Sequence, residues 1–498
     1  MTILIKNVFV FDGLGAPPVR QDILVSGRRI SAIGSFPRKH ADSVVDGQGG
    51  YCMPGFIDIH NDSDHYLALL SNPAQSRFLE QGATTLIGGH CGSSLAPLLY
   101  GGLESLQKWG GTRVNINWHS VKEFLGALEK QPLDINFGTL VGHATIRRAL
   151  TGNAIRPLTK NEIMVFGHIL ERAFAEGALG LSFGLDYVHS RTTPYAELKA
   201  LLTTVKKAGK VCTVHLRNSA DKLLDSIQEV IKLAKETEVP IIISHYVPIH
   251  GYEKEYEQGL VLLNTAPTSL YFDTHLAPVS TIELYTLLPE WAQNGGIDVM
   301  SANIQDPWLQ KRIRKDMQTL NPNECIIAQA PESDFLVGKT LKEFQEAYGT
   351  DADGALMQLM LLTKLRGTLL CKNINESLLD KALSHPRALI GSNAADCSGG
   401  VLPAVAQTPG ASDTFLKFLT RVEQNKLLPL EQAIQKITSR PAAILGISER
   451  GVLREGHYAD IVTLRGRAIH SVLVNGHEVV ADGRYTSNQH AGRVITPS

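Results

Sequence analysis

Hydrophobic positions along the chain fall into two patterns. Near the start, Ile3–Phe11 and Asp22–Ile33, and near the end, Asp460–Leu464 and Val472–Asp482, are short β-rich runs punctuated by turns such as Ser26-Gly27 and Asn475-Gly476. Between them, apolar segments of β type alternate with helical periodicity: Thr85–Ile87, Asn136–Val141, Ala178–Ser182, Val211–Val214, Ile241–Ser244, Ser269–Phe272 and Ala388–Ile390. Apolar strands separated by helices signify a parallel sheet covered by those helices. The pattern predicts a TIM (β/α)8 barrel over residues 55–441, threaded between the two halves of a small β-sandwich domain, 1–54 and 442–498. The rhythm breaks over 281–347, where WAQNGGIDVMSAN and the charged LQKRIRKDM intrude. This stretch reads either as an inserted lid over the barrel mouth or as an elaborated loop with no part in closure.

Composition narrows the functional classes. The 498 residues exceed the usual ~100–200 per domain, a size that single α/β barrels tolerate. A formal net charge of −1 removes the electrostatic reason to expect nucleic acid or an anionic membrane as partner. A small molecule fits better. The start MTILIKNVFVFDG alternates like a strand rather than presenting the charged, apolar and small-residue zones of a signal peptide, and no apolar run is long enough to span a bilayer. Six scattered cysteines make no disulfide framework, so a reducing cytoplasm is the expected setting.

Chemistry concentrates where the apolar runs end. In CMPGFIDIHND, His60 and Asp62 share one face of a strand because side chains alternate, which places two potential ligands together. His215 and His245 each follow a β-branched run, about thirty residues apart, the repeat of one βα unit; neighbouring barrel strands would aim both imidazoles at one point. Cys91 sits in the glycine-rich GGHCG after another apolar strand, where close backbone approach is favoured over bulk. A thiolate and two imidazoles can bind zinc and leave a position open for water.

Taken together, PGFIDIHNDSD, TTLIGGHCGSSLAPL, LVGHATIR, GALGLSFGLDY, TVHLRN, ISHYV, KITSRPAAILGISERGVLREGHYADIV and VLVNGHEVV resemble, in order, the motifs of the N-acyl-D-amino acid deacylase (D-aminoacylase) family of the amidohydrolase superfamily. The resemblance implies a barrel with a small β domain and a mobile inserted segment, and one zinc held by Cys91, His215 and His245. His60 and Asp62 would serve a second, weaker metal. Tyr187 and Arg217 match substrate-pocket positions, Arg217 suiting a carboxylate through its bidentate fork. Three departures stand out. The family's His-x-His reads His60-x-Asp62. The basic pair after His245 is replaced by Tyr246 and Val247. The Gly-Ser-Asp ending of the last strand reads Gly391-Ser392-Asn393, and the downstream His-Pro-Arg reads Gln407-Thr408-Pro409.

An amide cannot take a proton from water, so Asn393 is assigned to the substrate side, and Asp396, three residues on, is expected to supply the general base. His143 is expected to orient the oxyanion. The implied reaction is zinc-dependent hydrolysis of a linear amide, deacylating an N-acyl-D-amino acid. The alternatives are a catalytically impaired barrel with a binding role, favoured by Asn393, and a cyclic amidase of the dihydroorotase or hydantoinase type, which lacks its bridging lysine here.

Overall fold

A computed structural model describes residues 1–36, 40–99, 116–152, 154–398, 410–487 and 489–497. Eight parallel strands form a TIM barrel: Phe56–Asp58, Ala83–Gly88, Asn136–Thr139 continuing as Val141–Gly142, Gly180–Gly184, Val211–His215, Ile241–Ile243, Leu270–Thr274 and Ala388–Ile390. The first and last strands join just beyond their ends. Asn393 N–H donates to the His60 carbonyl at 2.9 Å, and Asp62 N–H to that of Ala394 at 2.9 Å. Below this seam the buried Asp58 accepts the Ser392 hydroxyl at 2.6 Å and its N–H at 2.9 Å. Burial pushes that carboxyl up to about 6 against these hydrogen bonds.

The covering helices follow local rules. Lys160–Ala175 starts in a capping box of Thr159 and Glu162. Leu223–Thr237 buries Leu223, Ile227, Val230, Leu233 and Ala234, the spacing of one helical face turned to the barrel.

Both chain ends enter a single eight-stranded sheet, in the order Arg484–Tyr485, His477–Ala481, Ala468–Val474, Ile461–Arg465, Ser43–Pro54, Thr2–Val10, Val19–Ser26, Arg29–Gly34. Residues of the two halves, among them Ile3, Ile5, Ile23, Val25, Ile461 and Leu473, share one buried cluster, so the sheet closes over its own core as a sandwich does. Alternate residues Val462, Leu464, Val472 and Val474 face the other way, into the barrel core. Asn475 and Gly476, both at positive φ, make the hairpin turn. The helix Ser439–Leu445 runs across the expected boundary at 441.

The interruption of the barrel is larger than 281–347. Between the seventh and eighth strands, Ser280–Glu283, Cys325–Gln329 and Thr368–Cys371 form an antiparallel sheet with its own core of residues such as Leu284, Ile327, Phe344, Leu356 and Leu369. The helix Ala352–Leu362 belongs to this unit, which runs to Cys371 because its central strand comes last in sequence. Cys325 and Cys371 form a disulfide across that sheet, a pairing hidden by their separation of 46 residues. Among the described residues, no helix is long and apolar enough to cross a membrane.

Candidate metal centre

Cys91 lies in the turn after the strand Ala83–Gly88, at φ 53° between Gly89 and Gly92, which also have positive φ. A Cβ on Gly89 would stand 2.2 Å from the Leu140 carbonyl oxygen, and one on Gly184 2.0 Å from the Cys91 carbonyl oxygen. Glycine is therefore required for this turn to pack against its neighbours and hold Cys91 over the barrel. His215 ends the strand Val211–His215. His245 follows Ile241–Ile243 at φ 37°, its N–H held by Asp273 Oδ1 at 2.7 Å.

These three side chains meet. Cys91 Sγ is 3.6 Å from His245 Nε2, which is 2.9 Å from His215 Nδ1, and the three donors lie within 4.8 Å of one another. Donors around a tetrahedral zinc stand roughly 3.3–3.6 Å apart, given its usual bond lengths; the Cys91–His245 separation falls in that range, and the two imidazole nitrogens would have to part by a few tenths of an ångström to share an ion. Burial opposes ionisation of Cys91, but hydrogen bonds with His215, His245 and His60 outweigh it and hold the thiol well below its ordinary range. A ready thiolate is what such a site needs.

His60 and Asp62 stand beside this set rather than in it. His60 is fully buried, with Nδ1 3.1 Å from Asp273 Oδ2 and Nε2 3.8 Å from Cys91 Sγ. Its ring stacks on that of His90, with centroids 4.0 Å apart. Burial and the neighbouring His60, His65 and His245 push His90 well below its ordinary range. Asp62 Oδ1 lies 3.3 Å from His65 Nδ1 and 4.0 Å from His60 Nε2. Burial raises the Asp62 carboxyl, yet His65 leads the histidines that bring it below its usual value. Asp273, His65 and His90 were not singled out in the sequence. Asp273 ends an apolar run as the histidines do, a signal of the same kind.

Three sequence assignments need correcting. Asp396 is fully buried and turned into its own loop: Oδ2 accepts Arg77 N–H at 3.1 Å, and Oδ1 accepts the Ser398 N–H at 3.0 Å and its hydroxyl. Those donors occupy both oxygens, so the carboxylate anchors a loop instead of facing the trio. His143 begins the helix His143–Thr151 in a buried network, with Nε2 3.2 Å from Glu197 Oε1 and Nδ1 3.4 Å from Ser190 Oγ, packed against Phe166 and Phe183. Arg217 spends its fork on Glu229, at 3.1 and 2.9 Å, and on the carbonyls of Arg191 and Thr193. Such a fully committed guanidinium is a fastener. Arg217→Met is expected to lower stability by about 1–3 kcal/mol, read as a fall in the thermal unfolding midpoint, because it strands Glu229 and two carbonyls. An unchanged midpoint would contradict that role.

Tyr187 packs on His215, with ring centroids 5.0 Å apart, and Asp186 Oδ2 is 4.0 Å from His215 Nε2. Asn393, at φ 49°, enters the seam beside His60. Residues Gln407, Thr408 and Pro409 lie outside the described residues.

Known proteins resemble this chain over nearly its whole length. A family model described as "Amidohydrolase family" matches residues 405–485. The chain is 27% identical to an N-acyl-D-aspartate deacylase of Alcaligenes xylosoxydans xylosoxydans, covering 99% of this chain and 95% of that protein. It superimposes on a D-aminoacylase crystal structure with a TM-score of 0.81 at 26% identity, covering 99% of each chain. An N-acyl-D-glutamate deacylase from Bordetella bronchiseptica, complexed with zinc and a phosphonate inhibitor that mimics the tetrahedral intermediate, gives 0.80 at 27% identity, again over 99% of each. Along nearly its whole length the chain is similar to N-acyl-D-amino acid deacylases of the amidohydrolase superfamily, and it shares their fold.

Proposed function

We propose that this protein hydrolyses the amide of an N-acyl-D-amino acid with one zinc ion held by Cys91, His215 and His245, releasing a carboxylate and a free D-amino acid. The observation that carries the reading is the meeting of one thiol and two imidazoles at the C-terminal mouth of the barrel, where chemistry in this fold is placed. When bound, the ion supplies Lewis acidity, polarising the acyl carbonyl and acidifying the attacking water. Proton transfer falls to the protein. With Asn393 unable to accept a proton and Asp396 turned away, Asp62 is the carboxylate we assign to it, since its oxygen faces His60 Nε2 at 4.0 Å beside the trio. Asp62 takes the proton as the C–O bond forms and returns it to the amide nitrogen as the C–N bond breaks. Asp273 fixes both neighbours of that event, accepting His60 Nδ1–H and the His245 N–H. Tyr187, packed on His215, lines the leaving-group side.

The test uses purified protein, with zinc stoichiometry and amine release measured in parallel across N-acetyl-D- and N-acetyl-L-amino acids. One zinc per chain with release favouring the D series is expected. A second reading, a silent barrel with a binding role, is favoured by Asn393 and predicts zinc without release from any member of the panel. Absence of both metal and turnover would overturn the assignment of the site as well.

A further inference from the structure

The amino acid released by such a reaction carries a carboxylate, and a carboxylate taken out of water beside the trio needs a cation to meet it. Arg217 is already spent on Glu229 and two carbonyls, and residue 247 is an apolar valine. The neighbouring carboxylates sharpen the need. Asp186 lies 4.0 Å from His215 Nε2, and Glu283 is buried next to Tyr285, so an incoming anion would meet like charge on this side.

Arg191 is a cation of the same loop as Asp186, and it acts on Tyr285 together with that carboxylate and Glu283. It belongs to the loop after Gly180–Gly184 that also carries Asp186 and Tyr187, the two residues that approach His215. Its N–H donates to the Tyr187 carbonyl at 2.8 Å, and its own carbonyl accepts from the Arg217 guanidinium. The ion pair that disqualifies Arg217 thus fixes the backbone from which Arg191 extends. The side chain, 19% exposed, crosses to the inserted unit, where Nη2 donates to the buried Gln293 Oε1 and Nη1 lies 3.5 Å from Glu290 Oε1. The two partners differ in kind. Gln293 is a rigid neutral acceptor that orients the guanidinium without discharging it. Glu290 is 82% exposed, and a solvated ion pair of this type is worth about 0–1 kcal/mol, so it yields readily to a better-placed carboxylate.

We propose that Arg191 binds the carboxylate of the leaving amino acid, exchanging Glu290 for substrate at Nη1 and so joining barrel and insert around the bound molecule. The proposal rests on the deacylase reading. It makes the free carboxylate a determinant of specificity, and it makes Arg191 rather than Arg217 the residue that reads it.

The experiment compares the best N-acetyl-D-amino acid of the panel with its primary amide, in which the carboxylate charge is removed. The wild-type holoenzyme is expected to prefer the acid. In Arg191→Met, kcat/KM for the acid falls by at least about tenfold, carried by KM, the loss of one hydrogen-bonded charge, whereas the amide is turned over as before. Arg191→Lys recovers part of the loss because it returns the charge without the fork. Thermal unfolding of each variant confirms that it is folded, and calorimetric affinity for the free D-amino acid product should weaken in step with KM. Equal losses on acid and amide would mean that Arg191 only ties the insert to the barrel, which overturns the proposal while leaving deacylation intact. A wild-type enzyme indifferent to the carboxylate overturns it too. Failure to hydrolyse either compound removes the deacylase reading, and this proposal with it.

Discussion

Cys91→Ala is expected to yield protein that folds, carries almost no zinc, and deacylates more than about a thousandfold more slowly than the wild type. Losing a residue that merely supports a metal ligand typically costs about 10–100-fold, and removing a ligand outright should exceed that. On the proposed reading Cys91 would also be the anionic member of the trio, since histidines bind metal as neutral imidazoles. Its loss removes a donor and the charge that balances the cation. The fold should survive, because Cys91 sits in a turn whose shape depends on Gly89 and Gly92, and alanine leaves only a small void there. Cys91→Ser serves as the companion variant, preserving shape while weakening the donor. Metal analysis, circular dichroism and amine release on the same preparations decide the matter. A Cys91→Ala protein that keeps a full equivalent of zinc and its rate would remove the trio from the mechanism.

How much of this was legible in the residues depends on how local the signal is. His215 and His245 could be found because a barrel strand is a short apolar run and its C-terminal end has a known fate. Cys91 was marked by glycines whose necessity the backbone contacts explain. The two-ended sheet was visible for a similar reason, as alternation and an Asn-Gly turn need only a few residues to declare themselves. Arg217 shows the opposite case. Whether an arginine in HLRN reaches a substrate or a neighbour depends on Glu229, which lies on the following helix and is brought to it only by the tertiary fold. Asp396 failed likewise, because its donors, Arg77 and Ser398, come from one distant segment and one adjacent turn. The insert was underestimated because its last strand, Thr368–Cys371, is the central one of its sheet, an order that nothing in the residues around it discloses. Arg191 had no motif at all. Its setting arises where a barrel loop meets Gln293 and Glu290 of the insert, a junction formed by segments about a hundred residues apart.

Asp62→Asn is expected to lower kcat by about 10²-fold or more while zinc content stays at one per chain. General base catalysis typically contributes about 10²–10⁴-fold, and the amide that replaces the carboxylate keeps its size but cannot accept a proton. Unchanged zinc is the discriminating readout, because a residue acting as a metal ligand would lose metal and rate together. The seam between the first and last strands supplies a second, sharper test. Asp62 N–H donates to the Ala394 carbonyl and Asn393 N–H to the His60 carbonyl, both at 2.9 Å, so residues 62 and 393 belong to one hydrogen-bonded junction beside His60. A carboxylate introduced at 393 enters that junction from the opposite strand. Combining Asp62→Asn with Asn393→Asp should therefore recover at least about a tenth of the wild-type kcat, whereas Asn393→Asp alone should change the rate little, the proton already having an acceptor. If Asp62→Asn left kcat untouched, or if Asn393→Asp alone raised it a hundredfold, the proton would have no acceptor at 62, and this barrel would be a deacylase impaired at its last strand.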